Sequence, residues 1–252
     1  MRARLPWMSL ADRRRWRSAR TVTDLGQCMA DWLEGRIASW PGYQPNFGPD
    51  EETADLVPIL AAVNHAGYLT TGSQPGLEGP GFDGSHWRQR AAVDGHISDP
   101  VLLRAIVNAA DTAGLFIGMQ DMIPDRTDSG LIVTTVDGEP YTWFGDRLSY
   151  RDLRTIWPTI HREAFHAVGT SVHLTLVSPE FGEDGQYLWK VLEEALAAVA
   201  DLDTSEPACI VCGCTDANPC PGGCAWVAGV QSAALCTACR GQAPDDLTIH
   251  VL

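Results

Sequence analysis

The sequence predicts an α+β fold, a mixed α/β sheet covered by helices, followed by a small cysteine-rich module. Three observations lead there. Apolar residues at helical spacing dominate up to about residue 65, strand-like runs alternate with helices from there to about residue 200, and seven of the eight cysteines fall between Cys209 and Cys239. On this reading the chain divides into a basic N-terminal arm (residues 1–20), an α/β body (21–200) and the cysteine module (205–241). DLDTSEP at 201–207 has the composition of a linker.

Each element follows from local chemistry. SLADRRRW starts a helix with Ser9 as its N-cap. TVTDLGQCMADWLEGRI places Leu25, Cys28, Met29, Trp32, Leu33 and Ile37 on one apolar stripe behind the capping candidates Thr21 and Thr23. SWPGYQPNFGPD, with three prolines and two glycines, is a loop. Asp50 caps a helix that runs to about His65, kinks at Pro58 and stops at Gly67. YLTTGSQ is a strand, PGLEGPGFDGS is too rich in glycine and proline for regular structure, and HWRQRAAVDGHI is a second strand. SDPVLLRAIVNAADTAG is a helix capped at Ser98 or Asp99. LFIGMQDMI, SGLIVTTV and EPYTWFG are strands, the last two joined by a tight hairpin at Asp137 and Gly138. YRDLRTIWPTIHREAFHAV is a helix with Pro158 inside it, VHLTLVS a strand and YLWKVLEEALAAVA the closing helix.

The net charge is −14. That sign repels nucleic acid and anionic membrane surfaces. The exception is the first twenty residues, where Arg2, Arg4, Arg13, Arg14, Arg15, Arg17 and Arg20 face only Asp12, so the rest is more acidic still. This arm suits docking on the acidic body or on a protein partner better than it suits nucleic acid. No apolar run reaches the roughly 18 residues of a membrane span, and no apolar secretory segment follows Arg2 and Arg4. A cytoplasmic location is therefore expected, and in that reducing compartment thiols stay free unless a metal takes them.

The cysteine segment reads CIVCGCTDANPCPGGC and then LCTAC. Cys209 with Cys212 and Cys236 with Cys239 form two CxxC pairs, the spacing with which two tight turns close a tetrahedron around one ion. Cys214, Cys220 and Cys224 are more than one such ion needs. Two Zn²⁺ ions sharing one bridging thiolate need seven sulfurs, the number present; a single Zn²⁺ with spare thiols is the alternative. An iron-sulfur cluster, needing four thiolates, and disulfides are less well matched, an odd count opposing full pairing. The fold class is thus α+β with a small C-terminal zinc-binding module. Four thiolates leave a metal no open position, so catalysis at the ion is not expected. Gly213, Pro221, Gly222 and Gly223 allow tight turns, and Ile210, Trp226, Val227 and Leu235 are candidate shields. Between residues 201 and 252 the only basic side chain is Arg240, which argues against contact with DNA.

The pattern CxVCGCT, CPGGCxWV, LCxAC resembles a cysteine module of unassigned role that recurs in phage and prophage proteins. SLADRRRWRSART, LTTGSQPG and RQRAAVDGH resemble a domain of unknown function found in actinobacteria and their phages. The resemblance implies a phage or prophage origin and brings no activity with it.

In the body, if the strand is YLTTG and ends at Gly72, Ser73 and Gln74 sit just beyond its end, where open α/β sheets place ligands, with Arg88, Arg90 and His96 following a glycine-rich loop. These types can hold a small anionic or nucleotide-like ligand through oriented hydrogen bonds. The competing reading is a plain turn followed by salt-bridged surface arginines. His161 and His166 are five residues apart on a helix and diverge; His173 in an apolar strand reads as a hydrogen-bonded core residue; Cys28 lies on a buried stripe. No GxSxG, P-loop or HExxH motif is present. The expectation is a metal-stabilised binding protein. The alternatives are an enzyme on a nucleotide or phosphate compound, with His96 or His86 as acid or base, and a protein-protein adaptor.

Overall fold

The computed structural model describes residues 7–120, 130–146, 148–204, 209, 211–212, 214–215, 218–225 and 236–239. It divides into a unit of residues 1–199 and a second of residues 200–252.

The first unit is built on β3 (His86–Ile97), a 12-residue strand that serves two antiparallel sheets. Its second half lies between β1 (Tyr68–Pro75) and β7 (Val172–Phe181), with β4 (Phe116–Gln120) beyond β7. Its first half lies between β2 (Glu78–Pro80) and β5 (Leu131–Val136), with β6 (Glu139–Phe144) outermost. The strand leaves one sheet for the other near Arg90, where its register with β7 shifts. Gly95 sits so close to Leu69 and Thr70 of β1 that a Cβ would not fit between the strands.

Three helices start at residues expected to cap them, whereas Asp50 makes no side-chain cap hydrogen bond and α3 (Val57–Ala66) starts after Leu56. Ser9 caps α1 (Leu10–Ser18) by accepting from the Asp12 N–H. Thr21 and Asp24 form a reciprocal capping box at the start of α2 (Val22–Leu33). α2 packs on α3 (Val57–Ala66), where Gly26 meets the Asn64 carbonyl with no space for a side chain. α4 (Pro100–Thr112) is capped by Asp99, and α7 (Tyr187–Thr204) closes the unit. The core gathers Trp16, Leu25, Met29, Leu60, Tyr68, Leu69, Ile97, Ile106, Trp157, Leu174 and Leu192 from helices and both faces of the junction.

Four expectations change. Pro58 does not kink a helix: residues 51–56 form a 3-10 turn, and α3 starts with Pro58 in its first turn, where the missing N–H has no partner to lose. The glycine-rich stretch holds β2, pinned on β3 through Glu78–Arg88 and Pro80–His86 pairing. Pro158 splits the long helix into α5 (Tyr150–Ile156) and α6 (Arg162–Thr170), because proline removes a donor and pushes Trp157 out of helical geometry. The closing helix runs to Thr204, so the expected linker begins inside it. The hairpin at Asp137 and Gly138 is as expected, both residues having positive φ. The expected continuation of β4 to Ile123 lies outside the described residues.

α1 is bound into the body. Trp16 is fully buried and its indole donates to the Ser39 carbonyl at 2.8 Å, while Arg15 pairs with Asp31 and Arg20 with Glu163. Among the described residues no helix is long and apolar enough to cross a membrane. Trp16→Ala should destabilise the body by about 3–5 kcal/mol in urea unfolding. A loss below about 1 kcal/mol would show that the arm is a detachable appendage.

Candidate functional site

In the second unit the cysteines have converged. All eight of the chain are free thiols. Cys209, Cys212, Cys214 and Cys236 form one four-sulfur group, and Cys214, Cys220, Cys224 and Cys236 another, each with its sulfurs within 4.8 Å of one another. Cys212–Cys220 and Cys214–Cys224 are 3.5 Å apart; Cys212–Cys236 and Cys220–Cys236 are 3.8 Å apart. A tetrahedral ion with sulfur at about 2.3 Å sets its ligands about 3.8 Å from each other. A disulfide would need about 2 Å. The observed spacing is that of ligands around a cation.

Backbone N–H groups are directed at two of these sulfurs, while burial pushes the Cys214 thiol up and the neighbouring Cys212 thiol pushes Cys220 up. N–H groups of Cys212 and Cys236 point at the Cys209 sulfur, the latter at 3.4 Å, and hold its pKa down to about 6. The Cys220 N–H reaches the Cys224 sulfur at 3.4 Å. Gly222 and Gly223 both take positive φ, closing the turn between Cys220 and Cys224. Cys239 is buried beside the group, its thiol pushed up by burial and by the sulfurs of Cys212, Cys236 and Cys209. Gly213 and the candidate shields Ile210, Trp226, Val227 and Leu235 lie outside the described residues.

The five ligand candidates of the body do not form one site. Ser73 and Gln74 are inside β1 of an antiparallel sheet, paired with Val93 and Ala92, not beyond a strand end. Gln74 is buried; its amide donates to the carbonyls of Arg90 and Val133 and accepts from Thr134. Arg90 donates to the carbonyls of Ser178 and Pro179 and lies 4.0 Å over the Phe181 ring. Arg88 pairs with Glu78 at 3.2 Å and also covers Phe181. His96 is buried on β3, and His86 pairs with Glu78 on the surface.

Of the five, Ser73 lines a cavity found among the described residues. This space, of about 320 Å³, is lined by Trp32, Trp40, Tyr43, Asp50 and Thr53 on one side and by Thr70–Ser73 of β1 on the other. Trp32 comes from α2 and the loop after it brings Trp40 and Tyr43 there, with Gly42 letting that loop lie against the Ile156 carbonyl. Sequence reasoning passed over Trp40 and Tyr43 because they stand in a segment with no periodicity.

A model of one family matches residues 11–199, three quarters of the chain. The chain belongs to DUF6919, a domain of unknown function. No curated protein matches it in sequence. The matched span covers α1 to α7 up to Val199 and ends before the cysteines, so the thiol cluster is an addition to the DUF6919 domain.

The DUF6919 domain contains one further polar cluster. Asp94 and His96 alternate onto one face of β3, and His173 lies opposite His96 on β7. The His96 and His173 rings are 5.0 Å apart, His173 Nε2 is 3.9 Å from the Asp94 carboxylate, and His96 Nδ1 is 3.3 Å from the Ser171 hydroxyl. His96 Nε2 and both ring nitrogens of His173 are out of solvent without a hydrogen-bond partner among the described residues. His173 is thus a core residue, as expected, but without the expected hydrogen bond. Burial, with the second imidazole adding to it, drives His96 down to about 3; burial also lowers His173 and raises Asp94. The visible sequence signal for this cluster was the D-x-H spacing within a strand.

Below about pH 6.5 an unfolded imidazole takes up a proton that folded His96 refuses until about pH 3. The DUF6919 domain should therefore lose stability as pH falls, with a slope approaching about 1.4 kcal/mol per pH unit for this residue. The raised Asp94 acts oppositely, since the folded state then holds its proton first. Urea unfolding of the native chain and of His96→Gln between pH 7.5 and 5.5 checks this: the variant should show the shallower decline, and parallel slopes would refute it.

Proposed function

We propose that this is a metal-stabilised binding protein whose C-terminal module holds two Zn²⁺ ions in one seven-thiolate centre, and whose DUF6919 domain takes a small ligand in the cavity beside Ser73. The observation that carries the metal reading is the overlap of two four-sulfur groups at Cys214 and Cys236. With Cys236 as the bridge and the buried Cys239 taking the place that Cys214 holds in the first group, the two CxxC pairs, Cys209/Cys212 and Cys236/Cys239, surround one ion. Cys214, Cys220 and Cys224 complete the other, and every thiol of the module is used.

Bound zinc would supply cross-linking and no open coordination position, so its contribution is to folding. Seven reduced thiols fit a reducing compartment, which supports a cytoplasmic protein. Binding is favoured over catalysis because neither His86 nor His96 borders the cavity. The anion expected at Arg88 and Arg90 finds both guanidiniums engaged by Glu78, by carbonyls and by Phe181. Arg13, Arg14 and Arg17 remain exposed on α1, the part of the arm open to a protein partner.

Elemental analysis and native mass spectrometry of chain purified without added metal should give two zinc per chain. Cys236→Ser should bring this below one, and Cys28→Ser, in α2 of the body, should leave it at two. One zinc per chain with Cys220 and Cys224 open to alkylation would reduce the centre to a single site; iron with visible absorption would replace it by a cluster.

A further inference from the structure

The cavity beside β1 is more selective than a general apolar cleft. Its aromatic wall is one packed unit, with ring centroids of Trp32, Trp40 and Tyr43 lying 5.5 to 6.3 Å from each other. Rings in mutual contact leave no space among their faces for a quaternary ammonium group, which an open cage would admit. Trp40 and Tyr43 lie 21° from parallel and Trp32 stands at 56° and 72° to them, a ring-lined wall against which a flat molecule can lie. The opposite wall is Thr70–Ser73 of β1, which pairs with β3 among the described residues; there the Thr70 N–H is taken by the Asn64 side chain and the Gly72 N–H by Asp94.

The polar groups have a definite sense. Asp50 is held by the Tyr43 hydroxyl, which donates to Oδ1 at 2.6 Å. Asp50 lines the cavity from an exposed position, and no hydrogen bond to its Oδ2 is found among the described residues. The Thr71 hydroxyl spends its hydrogen on Asp94 at 3.0 Å and can only accept. The Thr70 hydroxyl accepts from the Asn64 amide at 2.7 Å and keeps its hydrogen to donate. No Lys, Arg or His lines the space, and the chain as a whole carries −14. A phosphate is repelled here. A neutral ring that offers N–H groups is not.

We infer that the cavity binds a planar nitrogen heterocycle through two adjacent N–H donors, the amino-amide edge of a guanine-type base, with Asp50 as its acceptor and the Trp32/Trp40/Tyr43 wall as its stacking surface. This rests on the reading of the cavity as the ligand site and names its class. The volume of about 320 Å³ accommodates such a base with part of a sugar. A carboxylate takes two parallel N–H groups from guanine. Adenine turns a ring acceptor toward it, and uracil offers a single N–H.

Titration of the zinc-loaded full chain with guanosine, adenosine, uridine and guanosine monophosphate, read by tryptophan fluorescence and calorimetry, tests the inference. Guanosine should bind saturably, at least tenfold more tightly than adenosine or uridine, and the monophosphate should gain nothing. Asp50→Asn, at an exposed position, should weaken guanosine tenfold or more, and Tyr43→Phe, which frees the carboxylate, by a smaller factor. Equal binding of all nucleosides, or binding indifferent to Asp50→Asn, overturns the guanine-type assignment while the cavity remains the ligand site. Absence of saturable binding by any of them overturns both, and leaves the zinc content as a separate measurement.

Discussion

Strand β3 has to satisfy two sheets, and much of the body follows from how it manages the change. Its first half is sandwiched by β2 and β5, its second by β1 and β7, and the ladders cannot continue smoothly through the transition. Carbonyl groups freed at such a point, if buried, cost free energy until something donates to them. Gln74 donates to the carbonyls of Arg90 and Val133, one on each side of the change, and Arg90 turns its guanidinium onto the carbonyls of Ser178 and Pro179. Phe181 then covers the cation. The polar residues that look from sequence like a ligand site are the groups that make the junction possible.

This explains which parts of the fold could be read in advance. Helix starts were legible because capping is local: Ser9, Thr21 with Asp24, and Asp99 each act on N–H groups two or three residues away. The Asp137–Gly138 hairpin was legible for the same reason. β2 was not, since three residues in a glycine-proline stretch become a strand only because β3 offers them an edge. The position of Ser73 and Gln74 was misjudged on the same ground, as whether a strand ends at residue 72 or 75 depends on its neighbour. The cysteine cluster was legible because its ligand spacing encodes geometry directly. The cavity was invisible, because Trp40, Tyr43 and Asp50 meet β1 only through tertiary packing.

The two units are stabilised by different physics. The body buries a large continuous core in which Trp16, Trp157 and Tyr68 are fully enclosed. The segment around the thiols has four buried cysteines and little other apolar material in its described part, with Val211 the only partly buried non-cysteine hydrophobic packed there. A short chain of that composition does not bury enough to offset the entropy of ordering itself. On the proposed function, sulfur ligation supplies the cross-linking that the described part of this segment does not draw from apolar packing.

The buried Asp94, His96 and His173 lie one hydrogen bond from the cavity, through the Thr71 hydroxyl. Three imidazole nitrogens without a hydrogen-bond partner among the described residues cost roughly 1–3 kcal/mol for each group left unsatisfied. A sheet interior filled with Val or Leu at these positions would be more stable. Asp94 is meanwhile fixed by Thr71 and by the backbone N–H groups of Gly72 and Gly145. Thr71 and Gly72 line the cavity, so the strand that positions the carboxylate is also a wall of that space, and the buried polar cost lies directly behind it.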